Sequence, residues 1–466
     1  MTALTFFGAA GTVTGSRFIL EHKGKKLLID CGLFQGLKEN RLKNWEPFPV
    51  APAGIDRVLL THAHIDHSGY IPRLCRDGFS GPIHCTHATS ELSAILLRDS
   101  AHLQEEDAFW ANKKGFTKHE PALPLYTSDD AERSLDLFAP AHYGEDIYDD
   151  TDIRIKFRDS GHILGSAFID LKTTQGHTGR KMLFSGDLGR PDIPILKDPV
   201  QVYNVDYLIL ESTYGNRLHD EGSPPERLAR IINESIDRGG VLVIPSFAVG
   251  RTQTLLYVIR ELEEQGKIPS VPVFLDSPMA LEAIEVFERR IDDQDLTSRV
   301  QTLKGKNIFH PRRLQPCRTQ TESKTINNVK DQAIIISSSG MGTGGRILHH
   351  LAHRLPYPAN TILFIGYQAE GTRGKSILSG NPTVKIHGTL IPIKAHIENF
   401  TGYSGHADYN EILAWLMGFN RPPEKTFIVH GEPDAASALT EKIRGMFGWD
   451  VVIPGYGDRF ELDMGG

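Results

Sequence analysis

The sequence is poor in cysteine: Cys31, Cys75, Cys85 and Cys317 are the four in 466 residues, and none forms a C-x-x-C pair. That excludes a disulfide framework and a zinc ribbon, and reduced thiols are expected. No apolar run approaches the ~18 residues that a membrane span needs, so no membrane partner is expected. No basic residue precedes Arg17, and the chain reads as cytoplasmic, without a signal peptide. Internal repeats and low-complexity segments are also missing. Strong net charge is lacking too, since 51 Lys and Arg against 58 Asp and Glu give −7. This argues against non-specific coating of nucleic acid and still allows a local basic channel. What is present is a globular composition, 40% hydrophobic and 23% charged, long enough for about two or three domains at ~150 residues each. Histidine is abundant, with 20 residues, and it is both the commonest metal ligand and the usual acid–base group.

Strand-like runs at Ser16–Glu21 and Lys25–Asp30 flank Lys23-Gly24 as a hairpin. Further apolar runs follow at Arg57–Leu60, Ile153–Phe157, Ala167–Leu171, Met182–Phe184 and Tyr207–Leu210, with helical periodicity at Thr89–Leu103 and Asp129–Leu137. From about Tyr214 to Leu390 strands alternate with helices, beginning with Val241–Ile244 and Arg251–Leu262, which predicts a parallel sheet with crossover helices. Strands return at Phe427–Val429 and Val451–Ile453. The expected arrangement is an α/β chain in which one domain, 1–213 with 391–466, is interrupted by a second, 214–390. The acidic stretch Asp129–Asp152 reads as a solvated loop, and the basic stretch Lys304–Lys324 as either a solvated loop or a face for a polyanion.

The densest chemical signal is Thr61-His62-Ala63-His64-Ile65-Asp66-His67, directly after Val58-Leu59-Leu60. Extended residues two apart point the same way, so His62 and His64 can reach one ion, while the turning chain offers Asp66 and His67 to another. Imidazole with carboxylate suits zinc, and two adjacent ions suit hydrolysis of phosphate or acyl bonds.

This H-x-H-x-D-H run resembles the metallo-β-lactamase superfamily, whose other motifs are matched by Asp30 after an early strand, the lone His162 in Ser160–Gly165, and Asp187 in Phe184–Asp187. Glu211-Ser212-Thr213-Tyr214-Gly215, Ser404-Gly405-His406-Ala407-Asp408 and Val429-His430-Gly431-Glu432 resemble motifs A, B and C of its β-CASP group. These are nucleases related to the cutting subunit of the cleavage and polyadenylation factor. The resemblance spans nearly the whole chain and is nearest to the compact two-domain bacterial members. It implies an αββα metallo-β-lactamase sandwich with an inserted α/β β-CASP domain. It also implies two zinc ions per chain, one held by His62, His64 and His162 and one by Asp66, His67 and His430. Asp187 would bridge them, and Asp30 would orient ligands from behind.

On that basis the expected activity is zinc-dependent hydrolysis of single-stranded RNA, endonucleolytic or also 5′-exonucleolytic, by a hydroxide generated between the metals. His406 is the expected general acid, with Glu211 fixing its tautomer and raising its pKa; Asp187 and Asp66 join them as catalytic residues. A histidine at motif C accompanies RNA-cutting members, so His430 points to RNA. A DNA nuclease of the same fold and a small-molecule thioester or lactone hydrolase are the alternatives; a non-enzymatic subunit is disfavoured because every ligand position is filled. Homodimerisation is left open.

The loop Ser337-Ser338-Ser339-Gly340-Met341-Gly342-Thr343-Gly344-Gly345-Arg346 lies between a strand and a helix, where exposed amides and Arg346 can hold phosphate. Ser337, Ser338, Gly340, Gly344 and Gly345 are the expected contacts, and Arg251 and Lys375 beside their own glycines extend the basic rim. Gly340, Gly342 and Gly345 satisfy G-x-G-x-x-G, but no clear acidic residue follows ~20 positions on at a strand end, so no nicotinamide cofactor is expected.

Overall fold

The computed structural model describes residues 2–115, 119–148, 152–173, 179–293 and 307–464. They form two compact units. The first comprises Met1–Pro191, Asp198–Leu218 and His406–Gly466.

Among the described residues this unit holds two seven-stranded sheets. One runs in the order Arg459–Leu462, Thr2–Phe6, Phe18–His22, Lys25–Ile29, Arg57–Leu59, Ile83–Thr86, Phe138–Ala141. The other runs Val451–Val452, Lys425–Val429, Tyr207–Glu211, Lys181–Phe184, Ala167–Thr173, Ile153–Asp159, Ile147–Tyr148. The expected hairpin forms, and its two linking residues, Lys23 and Gly24, both have positive φ (48° and 82°), as a two-residue turn between twisted strands requires.

Strand alternation divides the apolar residues between faces. Leu4, Phe6, Phe18, Leu27 and Ile29 of the first sheet meet Phe157, Ile169, Phe184, Ile209 and Phe427 of the second. The intervening positions Ile19, Leu28, Val58 and Ile83 pack outward on Tyr70, Ile71, Leu74 and Leu97, which lie on or beside the helices Ile71–Arg76 and His87–Lys114. On the far side, Phe168, Leu183, Leu208 and Ile428 meet Ile412, Trp415, Leu439 and Ile443 of Tyr409–Leu416 and Pro433–Phe447. Helix, sheet, sheet and helix thus stack in four layers, and each large apolar side chain so buried stabilises the fold by about 1.5–3 kcal/mol.

Two local expectations change. The helix predicted over Thr89–Leu103 runs to Lys114, because no Gly or Pro interrupts it before Gly115, which ends it at φ 60°. The loop reading of the acidic stretch gives way at its start to the helix that the periodicity over Asp129–Leu137 predicts: Asp129 and Asp130 open the helix Ser128–Leu135, where Thr127 and Asp130 form a capping box, and Phe138–Ala141 continues as a strand. Residues 149–151 of that stretch lie outside the described residues.

The second unit comprises Asp192–Lys197 and His219–Gly405. Its six-stranded sheet has the order Leu314–Pro316, Val273–Asp276, Ala333–Ser337, Val241–Pro245, Thr361–Ile365, His396–Phe400, parallel throughout. The crossovers include the helices Arg251–Glu264, Pro278–Arg289 and Ile347–Arg354. Of the basic stretch, Lys304 and Lys306 lie outside the described residues, while Arg318 pairs with Glu285 at 3.1 Å.

Candidate metal centre

In each sheet of the first unit one half is antiparallel and the other parallel. The carboxyl ends of the parallel halves are where backbone direction changes and side chains can converge. Asp30 follows Lys25–Ile29, His62 follows Arg57–Leu59, Asp187 follows Lys181–Phe184, Glu211 ends Tyr207–Glu211, and His430 follows Lys425–Val429. His64 caps the short helix Ile65–Ser68, which carries Asp66 and His67. The 30–33 segment lies against that helix through Cys31 N–H to His67 O (2.7 Å) and Leu33 N–H to Ile65 O (2.9 Å). Gly32 is required here, since a Cβ would fall 1.6 Å from the Asp66 carbonyl oxygen.

Two donor sets result. His62, His64, His162 and Asp187 bring one atom each within 4.8 Å of the others, and so do Asp66, His67 and His430. In the first set, His62 Nε2 and His162 Nε2 each lie 3.2 Å from His64 Nδ1. They lie 3.4 and 3.3 Å from Asp187 Oδ2. In the second, His67 Nε2 is 3.2 Å from His430 Nε2 and 3.2 Å from Asp187 Oδ1. One oxygen of Asp187 therefore faces each set.

Protonation states of the first set fit a cation. Burial, then the neighbouring imidazoles, lowers the pKa of His62 and His162, and that of His64 falls to about 3, so these rings present lone pairs. Asp66 and Asp187 stay well below the usual carboxylate range despite burial, because His430 and His67 lie beside both. His67 behaves oppositely: burial disfavours its charge, but Asp187 and Asp30 outweigh burial and raise its pKa well above normal. Converging imidazole nitrogens around a shared carboxylate are the donor chemistry of a divalent transition metal.

Behind these groups Asp30, buried at φ 56°, accepts from His67 Nδ1 at 2.7 Å and from the Thr61 amide at 2.8 Å. Thr61 Oγ1 also donates to Asp30 and lies 3.0 Å from His62 Nδ1. Thr213 Oγ1 lies 3.1 Å from His430 Nδ1. Sequence reasoning missed Thr61 and Thr213; their signal was a hydroxyl one residue before His62 and two after Glu211. His406 Nδ1 donates to the buried Glu211 at 3.0 Å and lies 3.8 Å from Asp187 Oδ2. Glu211 is itself held by the amides of Leu188 (2.8 Å) and Thr213 (3.1 Å). Asp187, Glu211 and His406 also bring one atom each within 4.8 Å.

The expected phosphate loop is arranged differently. Ser339 closes it upon itself, its hydroxyl accepting from the amides of Thr343 (3.0 Å) and Gly344 (3.3 Å). Arg346 donates to Asp276 (2.8 Å) and to the carbonyls of Cys317 (2.9 Å) and Arg318 (2.8 Å), so it fastens its own unit rather than standing as a free cation. Ser337 is buried on the Asp276 carbonyl (2.8 Å), and Ser338 lies 3.1 Å from the Ser277 hydroxyl. Gly340 packs where a Cβ would meet the Phe247 ring at 2.7 Å, and Gly345 has φ 77°. Arg251 donates to Ile365 O at 2.6 Å, and Lys375 pairs with Glu370 at 2.7 Å.

Fold and donor sets together define a metal-dependent hydrolase. Three family models match successive stretches: metallo-beta-lactamase superfamily over 11–235, Beta-Casp domain over 252–377, and Zn-dependent metallo-hydrolase RNA specificity domain over 390–454. Ribonuclease TTHA0252 of Thermus thermophilus is 36% identical over 97% of this chain and 98% of its own length. Transcription termination factor FttA of Methanocaldococcus jannaschii is 31% identical over 97% of this chain and 70% of its own. The chain belongs to the β-CASP family of the metallo-β-lactamase superfamily. A crystal structure of a protein of unknown function from Enterococcus faecalis V583 shares the fold, with a TM-score of 0.54 and 12% identity over 99% of this chain and 100% of that one. No helix among the described residues is long and apolar enough to cross a membrane.

Proposed function

We propose that the protein is a zinc-dependent ribonuclease that hydrolyses phosphodiester bonds within single-stranded RNA, with 5′-exonuclease activity as a second mode. The observation that carries this reading is the convergence of two donor sets on opposite oxygens of Asp187, beside the His406–Glu211 pair. His62, His64 and His162 would hold one zinc, Asp66, His67 and His430 the other, and Asp187 both. When bound, the ions would acidify water and neutralise phosphoryl oxygens. Asp30, Thr61 and Thr213 fix the ring orientations of His67, His62 and His430. Glu211 holds His406 by Nδ1, so that Nε2 delivers the proton to the departing 3′-oxygen. RNA as the substrate class is supported by the RNA-specificity match, the ribonuclease relative and the histidine at position 430.

The test incubates zinc-loaded protein with matched 5′-labelled single-stranded RNA and DNA, alongside His62→Ala and chelator controls. Internal RNA cuts lost in both controls support the reading. Equal cutting of DNA would remove the RNA preference, and no cutting of either by a chain carrying two zinc ions would favour a small-molecule hydrolase.

A further inference from the structure

The segment that leaves the metal centre after Asp30 carries exposed apolar and cationic groups side by side: Leu37, Leu42 and Trp45 (53% exposed) with Lys38 and Arg41. Tyr456 (47% exposed) joins them from the far end of the unit, because Lys43 Nζ sits 5.0 Å from its ring and 5.2 Å from that of Phe34. Glu39 and Glu46 share the segment, so the surface is mixed, with three cations against two carboxylates.

The patch is wired to the metal ligands. Asn44 accepts from the Phe34 amide (3.0 Å) and donates to its carbonyl (2.8 Å). Gln35 N–H donates to Thr14 Oγ1 at 3.2 Å. The 9–16 loop so held reaches the centre itself, where His430 N–H donates to Ala9 O at 2.7 Å and Ser16 Oγ lies 3.4 Å from His67 Nε2. The patch is thus joined, through Gln35, to the 9–16 loop that touches the donor sets.

We infer that the Leu37–Trp45 segment with Tyr456 is a stacking surface for single-stranded RNA, holding bases of the strand several nucleotides away from the scissile phosphate. Interleaved aromatic rings and cations are what such a strand recognises: bases lie on rings whatever their sequence, and phosphates meet Lys38 and Arg41. The inference rests on the ribonuclease reading.

The experiment compares RNAs of ~3 and ~20 nucleotides, lengths below and beyond what a single-strand groove spans, on zinc-loaded wild type, Trp45→Ala, Trp45→Tyr and Lys38→Ala/Arg41→Ala. Trp45→Ala is expected to raise KM for the long RNA about tenfold, with kcat and the short RNA unchanged, and Trp45→Tyr to restore it. The double variant is expected to lower the salt slope of log binding by about 0.7 per charge removed. Equal losses on both lengths, or no loss on either, would overturn the inference. So would unchanged RNA kinetics with a concentration-dependent dimer lost in Trp45→Ala, which would assign the patch to a second copy. If wild type cuts neither RNA, the ribonuclease reading fails instead.

Discussion

Replacing Asp30 by Asn tests how the centre is held without touching a proposed ligand. Asp30 is buried and accepts from His67 Nδ1 (2.7 Å), the Thr61 amide (2.8 Å) and the Thr61 hydroxyl. An asparagine that keeps the Thr61 amide on its carbonyl turns its NH2 toward His67 Nδ1, donor against donor. The ring can escape only by moving its proton to Nε2, the nitrogen that faces His430 and Asp187. The variant is expected to fold and to lose about 10- to 100-fold in zinc affinity, which is about 1.4–2.7 kcal/mol. Competition against a chromophoric chelator measures this, and activity should return as free zinc is raised. Unchanged affinity with a lowered kcat at saturating zinc would refute the tautomer argument.

His406→Ala should keep its metal and lose about 10²–10⁴ in kcat; loss of zinc would instead make His406 a ligand, an arrangement its closeness to Asp187 and Glu211 permits. Asp187→Ala should lose both metal content and turnover, and retention of two ions by elemental analysis would contradict a bridging role. Asp276 is fully buried, accepting from His350 (2.6 Å), Ser323 (2.6 Å) and Arg346 (2.8 Å), so Asp276→Asn should cost about 3 kcal/mol in the inserted unit. Burial alone would raise its pKa, but His350, Ser323 and Arg346 bring it below normal. That stability is therefore present above the unfolded pKa of about 3.9 and lost as pH falls through the lower folded value. Denaturant melts of wild type and variant should converge in strong acid, and a gap that persists there would show that the charge is not its source. Arg346→Ala should lower the same unit's stability with KM nearly unchanged, measured by melts and steady-state kinetics in parallel.

The convergence of the two donor sets was legible because strand-end chemistry is local: His62, His64, Asp66 and His67 fall within six positions after an apolar run, and His162, Asp187 and His430 each follow a strand or tight turn. The inserted sheet was legible from alternating apolar runs. Arg346 was misread because glycines beside a cation look alike whether the cation faces solvent or a buried carboxylate, and Asp276 lies 70 residues away. Thr61 and Thr213 were passed over since a hydroxyl's partner is set by tertiary packing, which spacing does not encode. The late half of the helix His87–Lys114 was lost with its periodicity: beyond Leu103, Phe109 and Trp110 stand exposed.

The order in which the donors occur along the chain bears on biogenesis. His62, His64, His162 and Asp187 are all made before the inserted unit begins in earnest at His219, whereas His430 comes only after that unit has been synthesised. The strand before His430 pairs with Tyr207–Glu211, across more than half the remaining chain. A nascent chain can therefore complete one donor set but not the other, and His406 is likewise absent until the inserted unit is finished. The second donor set and the His406–Glu211 pair therefore come together only after the inserted unit has been synthesised.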